Sequence, residues 1–254
     1  MRIVVKIGTS TLAHKTGCLN IRRVEELCRV LSDIKNAGNE VILVSSGAIA
    51  MGFSKLLLNE RPKDVPTKQA AAAVGQCELM YVYDKLFGEY HHTVAQLLVT
   101  GSDFEHSDRY ENFSNTMSRL LELKALPIIN ENDTIATDEI CVGDNDTLSA
   151  MVAVSVKADL LVLMSDIDGL YTSDPHRNKD AKLIDTVTEI SDVYSFADGE
   201  FTSLGTGGMK TKLSAAQLCC NTGCDMVIMN GAEPEKIYDL LNNKPVGTRF
   251  IAKR

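Results

Sequence analysis

The feature that most constrains this chain is an alternation of two patterns. Short runs of large aliphatic residues, at positions 3–7, 40–45, 94–99, 125–130, 160–165 and 225–229, are separated by longer segments whose apolar residues recur at helical spacing. The runs are continuously apolar, which suits strands buried on both faces and therefore a mostly parallel sheet. The helical pattern is clearest after Asn20, where Val24, Leu27, Cys28, Val30, Leu31 and Ile34 form one stripe and Gly38 follows as a stop. Ser46-Gly47-Ala48 turns into Ile49-Ala50-Met51-Gly52, and Pro66-Thr67 opens a long helix to about Tyr90, with Gly75 as a point of close packing. Further helices are predicted at about 110–124, 145–157, from Met209 to about Thr222, and at 234–242. Residues 134–142 read as a hairpin, 167–182 as a long excursion, and 183–190 as a further strand. The expected fold class is α/β: a three-layer αβα sandwich, helices on both faces of a mostly parallel central sheet, in a single domain over residues 1–254.

Charge then limits the partners. There are 26 Lys and Arg against 34 Asp and Glu, a net −8, so a broad electrostatic grip on nucleic acid or anionic lipid is not expected, and any anion must be held locally. The seven cysteines are an odd set without a CxxC pair and are read as reduced, mostly buried thiols, with zinc at Cys220 and Cys224 the weaker alternative. The N-terminal apolar run is too short for a signal peptide and no stretch of 18 apolar residues occurs, so a cytoplasmic protein with no membrane partner is expected.

Open α/β sheets bind ligands beyond the carboxyl ends of their strands. Five such ends are polar or glycine-rich: Lys6-Ile7-Gly8-Thr9-Ser10, Ser45-Ser46-Gly47-Ala48, Asn130-Glu131-Asn132-Asp133, Ser165-Asp166, and the turn Gly205-Thr206-Gly207-Gly208 before Met209. Any one could be turn punctuation; five together favour a site. Lys6 lies inside an apolar strand, where its ammonium is costly unless it meets an anion or a carboxylate. Gly8 lets backbone amides approach an oxyanion. The turn at 205–208 opens a helix and supplies Lys210 and Lys212, a second phosphate cradle whose spacing does not say which lysine lies nearer. It is neither a P-loop nor a dinucleotide fingerprint. Gly143-Asp144-Asn145-Asp146 reads first as a helix cap and, with Asp133, as a cluster able to hold a small polar molecule or orient lysines. The five histidines fall at unrelated spacings and are read as solvated, and no Ser/His/Asp triad is indicated.

Taken together, Val4-Val5-Lys6-Ile7-Gly8-Thr9-Ser10, Val44-Ser45-Ser46-Gly47-Ala48-Ile49, Ile129-Asn130-Glu131-Asn132-Asp133, Val142-Gly143-Asp144-Asn145-Asp146 and Gly205-Thr206-Gly207-Gly208-Met209-Lys210-Thr211-Lys212 resemble the motifs of the amino-acid kinase family, and as a set its glutamate-phosphorylating members. The similarity runs in order from Arg2 to about Phe250. It implies transfer of the γ-phosphate of ATP, with Mg²⁺, to the side-chain carboxylate of L-glutamate, at the start of proline biosynthesis. By the same resemblance Lys6 and Lys212 stabilise the transferring phosphoryl group and Asp146 positions them. Ser46, Asp133 and Asn145 bind glutamate. Lys6, Gly8, Ser165, Asp166, Thr206, Gly207, Gly208, Met209, Lys210, Thr211 and Lys212 line the ATP site, and no residue is assigned to protein-bound metal. The N-terminal part is then mainly glutamate-binding and the C-terminal part mainly ATP-binding. Many family members continue into a C-terminal PUA domain, which this chain is expected to lack. Feedback inhibition by proline and a homo-oligomer, dimer or tetramer, are also implied. A carboxylate acceptor is already ionised at neutral pH, so no general base is needed. The same cradle on a related enzyme takes acetylglutamate, aspartate, carbamate or UMP, and a pocket without turnover would be a nucleotide or amino-acid sensor. Two lysines favour turnover, since a sensor has no need of transition-state charge.

Overall fold

The computed structural model describes residues 1–14, 16–60, 62–136, 145–173, 175, 178–194 and 208–253. The chain opens with β1 (Arg2–Ile7), a single turn α1 (Thr9–Leu12) and α2 (Ile21–Asn36), then β2 (Glu40–Val44), α3 (Ala48–Lys55), α4 (Val65–Gly88) and β3 (Val94–Val99). It continues through α5 (Ser107–Glu122), β4 (Leu126–Glu131), α6 (Asp146–Ser155), β5 (Leu160–Ser165) and β6 (Thr186–Val187), and ends with α7 (Met209–Cys220), β7 (Asp225–Asn230), α8 (Lys236–Leu241) and β8 (Thr248–Phe250). One eight-stranded sheet has the order β3-β4-β2-β1-β5-β7-β8-β6, with β1 through β5 and β7 mutually parallel and β8 antiparallel to β7.

Side-chain parity along the strands builds the layers. Ile3, Val5 and Ile7 of β1 join Val24, Leu27 and Leu31 of α2 and Leu79, Tyr83 and Phe87 of α4 in one core. Val4, with Ile42 and Val44 of β2, joins Met117 of α5, Val152 of α6 and Leu213 of α7 in the other. The sheet is thus covered on both faces, as the continuous apolar runs require. Lys6 has the parity of Val4 and so lies on the face of α6 and α7.

Local signals set the helix ends. Asn20 Oδ1 accepts the Arg23 amide at the start of α2, and Gly38 takes φ +93° just past its end. Asp64 Oδ1 accepts the Thr67 amide at 2.9 Å with Pro66 in the first turn of α4. A Cβ on Gly75 would stand 1.8 Å from the Ala48 carbonyl oxygen, and one on Gly52 would stand 1.7 Å from that of Ala71, so α3 and α4 cross backbone to backbone. Gly75 is the close-packing point its place in the sequence suggested.

One expectation changes, at residues 183–190. Residues 183–190 form only the two-residue β6, which pairs at an edge with β8, and a 3₁₀ turn at Ile190–Val193. Leu183 instead makes an isolated antiparallel bridge to Tyr171. The predicted hairpin at 134–142 begins as a turn, Ala136 N donating to the Asn132 carbonyl at 2.9 Å, and residues 137–144 lie outside the described residues. Among the described cysteines, Cys28, Cys219, Cys220 and Cys224 are buried and free, whereas Cys18 and Cys77 are exposed. No group of three His, Cys, Asp or Glu that could hold a metal occurs among the described residues, which leaves the zinc alternative without a ligand set there. Among the described residues no helix is long and apolar enough to cross a membrane.

Candidate active site

The central strand β1 delivers Lys6 at its carboxyl end, α6 delivers Asp146 in its first turn, and α7 delivers Lys212 one turn in. Lys6 Nζ donates to Asp146 Oδ1 at 2.6 Å and Lys212 Nζ to Asp146 Oδ2 at 2.8 Å. All three are buried, at 8%, 1% and 5% exposure for Lys6, Asp146 and Lys212. Burial works against the Asp146 charge, yet the two ammonium groups outweigh it and hold the carboxyl well below the usual range. One carboxylate thus anchors two cations from different elements, and the triad carries a formal charge of about +1, ready for an anion. Lys210, by contrast, is exposed on the same helix, so geometry separates the two lysines that spacing could not.

Around this triad the backbone leaves room. Gly8 sits at φ −84°, ψ 157°, where any residue fits, and a Cβ there would stand 3.9 Å from Lys6 Nζ and 3.7 Å from the Met164 carbonyl oxygen. Its lack of a side chain keeps the space beside the Lys6 ammonium clear. Gly208 caps α7 with extended backbone and no side-chain bond, so the first-turn amides of Met209, Lys210 and Thr211 have no carbonyl partner within the helix. The Thr211 hydroxyl donates to the Gly208 carbonyl at 2.7 Å and fixes that turn. Ser165 ends β5 and Asp166 follows it, the Ser165 hydroxyl donating to Asp166 Oδ1 at 3.1 Å. Thr206 and Gly207 lie outside the described residues.

On the other side of the triad lies a buried polar relay. Asn145 Nδ2 is shared among the Ser45 carbonyl (2.8 Å), Ser46 Oγ (3.1 Å) and Asn130 Oδ1 (3.0 Å). Asn130 Oδ1 also accepts the Glu131 amide at 3.0 Å, and Asn130 Nδ2 donates to Gln76 Oε1 at 2.8 Å. Beneath it, Ser45 Oγ and Tyr83 Oη are hydrogen-bonded at 2.9 Å. Gly47, at φ +95°, makes the left-handed turn from β2 into α3 that brings Ser46 into this cluster. Asn145 caps α6 by position only, its side chain being spent on the relay.

Asn145 Oδ1 in this cluster is buried without a hydrogen-bond partner, and so is Oδ1 of Asp133, three residues past Asn130. Such atoms are costly unless a ligand completes them, and acceptors alone suit an ammonium. Burial pushes the Asp133 carboxyl up to about 6, and a bound cation would reverse that. The structure therefore gathers Lys6, Asp146 and Lys212 in one place and Ser46 and Asn145 in an adjoining one, with Asp133 three residues beyond Asn130 of the same relay. Sequence reasoning missed Gln76 and Tyr83, which stand inside helix α4 at positions indistinguishable by pattern from core. A cavity of about 350 Å³ between β3 and α5, lined by Leu98, Asp103, Arg109 and Phe113 among others, contains none of these residues.

Comparison with known proteins follows the geometry. Residues 1–230 match the amino acid kinase family. The chain is 51% identical to glutamate 5-kinase of Clostridium perfringens, with all of this chain and 96% of that protein aligned. It is 53% identical to glutamate 5-kinase of Clostridium acetobutylicum over 99% of this chain and 95% of that one. In structure it resembles carbamate kinase from Giardia lamblia bound to AMP-PNP, with TM-score 0.71 at 16% identity over 99% of this chain and 98% of that one.

Proposed function

This chain belongs to the amino acid kinase family, and from that premise we propose that it is an ATP-dependent kinase that phosphorylates the side-chain carboxylate of L-glutamate, giving L-glutamyl 5-phosphate for proline biosynthesis. The observation that carries the reading is the buried Lys6–Asp146–Lys212 triad beside two unpartnered acceptors. Phosphoryl transfer asks a protein chiefly for alignment and positive charge at the equatorial oxygens. Lys6 and Lys212, held apart by one carboxylate, supply that charge from two sides. The acceptor carboxylate needs no base, and none faces the triad in this reading.

Asp133 and Asn145 take the α-ammonium of glutamate through their open oxygens, and Ser46 borders them. Lys6, Gly8, Ser165, Asp166 and residues 206–212, Thr206 and Gly207 included, line the nucleotide. Glutamate then sits mainly on the β2–β4 side of β1 and ATP mainly on the β5–β7 side. Asp146 is occupied by two lysines, and Mg²⁺ would arrive on the nucleotide phosphates. Bound there, the ion would neutralise phosphate charge. Proline shares an α-carboxylate and a cationic nitrogen with glutamate, which supports feedback inhibition at the same relay; inhibition of initial rates by millimolar proline tests it. We place the enzyme in the cytoplasm as a homo-oligomer, dimer or tetramer, to be read by light scattering.

The deciding experiment incubates the protein with ATP, Mg²⁺ and hydroxylamine, which traps an acyl phosphate as hydroxamate. L-Glutamate-dependent hydroxamate with matching ADP release is expected. Turnover only with acetylglutamate, aspartate, carbamate or UMP would move the acceptor assignment, and silence with all of them would leave a sensor.

A further inference from the structure

The relay that holds Asn145 has a direction, and the direction ends on Gln76. The Ser45 main-chain carbonyl can only accept, so Asn145 must turn Nδ2 toward it. The Glu131 main-chain N–H can only donate, so Asn130 must turn Oδ1 toward it and toward Asn145. What remains of Asn130 is Nδ2, which can only donate, and this commits Gln76 Oε1 as its acceptor. Gln76 therefore keeps its amide nitrogen for another partner. That nitrogen makes no hydrogen bond within the described residues and is not among the fully enclosed polar atoms, although the residue as a whole is only 8% exposed. With one end locked and the other reachable from outside, Gln76 presents a fixed two-proton donor to whatever acceptor arrives there.

An amino acid binds as a zwitterion, so its site needs acceptors for the ammonium and a donor for the α-carboxylate. Asp133 Oδ1 and Asn145 Oδ1 are the acceptors, and both lysines are engaged at the phosphoryl end. We propose that Gln76 is a substrate-binding residue whose Nε2 donates to the α-carboxylate of the acceptor, making the relay a reader of the whole amino-acid head group. The proposal rests on the glutamate-kinase reading above.

Hydroxamate assays on the full chain compare L-glutamate, L-isoglutamine, whose α-carboxylate is a carboxamide, and 4-aminobutyrate, which lacks that group; weak acceptors are measured as inhibitors. Gln76→Glu keeps an acceptor for Asn130 but replaces the donor by a carboxylate. It should lower kcat/KM for L-glutamate at least about tenfold through KM, and shift the preference toward L-isoglutamine by at least about tenfold, because the carboxamide can donate to it. Gln76→Met removes the donor without adding charge but also takes the acceptor from Asn130 Nδ2, and should weaken L-glutamate at least about fivefold more than 4-aminobutyrate. KM for ATP should hold in both. Equal losses on all three acceptors would reduce Gln76 to a support for Asn130, and unchanged L-glutamate kinetics would remove it from the site. Absence of glutamate-dependent product from the unsubstituted protein would overturn the kinase reading and this inference together.

Discussion

At the scale of single residues, this chain concentrates its cost in a few buried charges. Asp146 satisfies two ammoniums at once, so removing one lysine leaves an ion pair rather than a stranded carboxylate. Lys212→Ala should therefore fold with little change in melting temperature and still lose at least about tenfold in kcat, because the remaining pair supplies charge from one side only. Thermal melting with initial-rate kinetics separates the two, and near-normal turnover would remove Lys212 from the mechanism. Asp133 behaves oppositely. Its carboxyl, raised by burial to about 6 from an ordinary 3.8, keeps a proton that the unfolded chain has lost, so stability falls as pH rises between those values. The cost is on the order of 3 kcal/mol and is in full force at neutral pH. Asp133→Asn should accordingly raise the melting temperature at pH 7.5 and leave it unchanged near pH 4. A bound ammonium favours the ionised form, so KM for L-glutamate should fall as pH rises through about 6, and flatten in the variant. Lys6 stood out in the sequence because a lysine in an apolar strand demands an explanation, whereas Asp146 read first as part of a helix cap and was singled out by the family resemblance. Gln76 was not, because its meaning lies in the direction of a hydrogen-bond relay that joins α4, β4 and α6.

At the scale of elements, the strands were legible because burial on both faces leaves continuous apolar runs, and β5 occupies residues 160–165 as read. Edge pieces were not: β6 and β8 are two and three residues long and owe their pairing to each other and to β7, which no local pattern encodes. The α3–α4 crossing shows how an element sets the site. Gly75 immediately precedes Gln76, and α3 begins two residues after Ser46, so the crossing that fixes these helices also fixes both ends of the relay. Gly75→Ala would drive a methyl into the Ala48 carbonyl, a backbone atom that cannot swing aside. Separation of the helices should cost about 1–3 kcal/mol or more. It should appear as a lower urea midpoint, with a rise in KM for L-glutamate larger than that for ATP. Equal effects on the two substrates would mean that the crossing supports the fold without steering the relay.

At the scale of the whole molecule, the proposed function divides along the strand order. From β1 outward, β2, β4 and β3 lie to one side and β5 and β7 to the other. The first group ends in Ser46, Asn130 and Asp133; the second ends in Ser165 and Asp166 and is packed by α7 with Lys212. Lys6, on the central strand, and Asp146, on the helix that packs against α7, stand at the seam, where the proposed function brings two anionic substrates together. The net charge of −8 works against that meeting at long range, so the attraction has to come from the seam itself. Hydrogen exchange can read this division directly. L-Glutamate alone should slow exchange at residues 45–48, 74–78 and 130–136, a non-hydrolysable ATP analogue should slow it at 165–169 and 208–213, and both ligands should be needed for the greatest protection around Asp146. Elements far from the seam, such as α8, should be unaffected by either ligand. Protection of the β5–β7 side by glutamate alone would contradict the division, because it would put the amino acid where the phosphate cradle of α7 opens. Protection of both sides by either ligand would instead mean that closure about the seam accompanies the first binding event, and the triad would then act as the hinge as well as the charge.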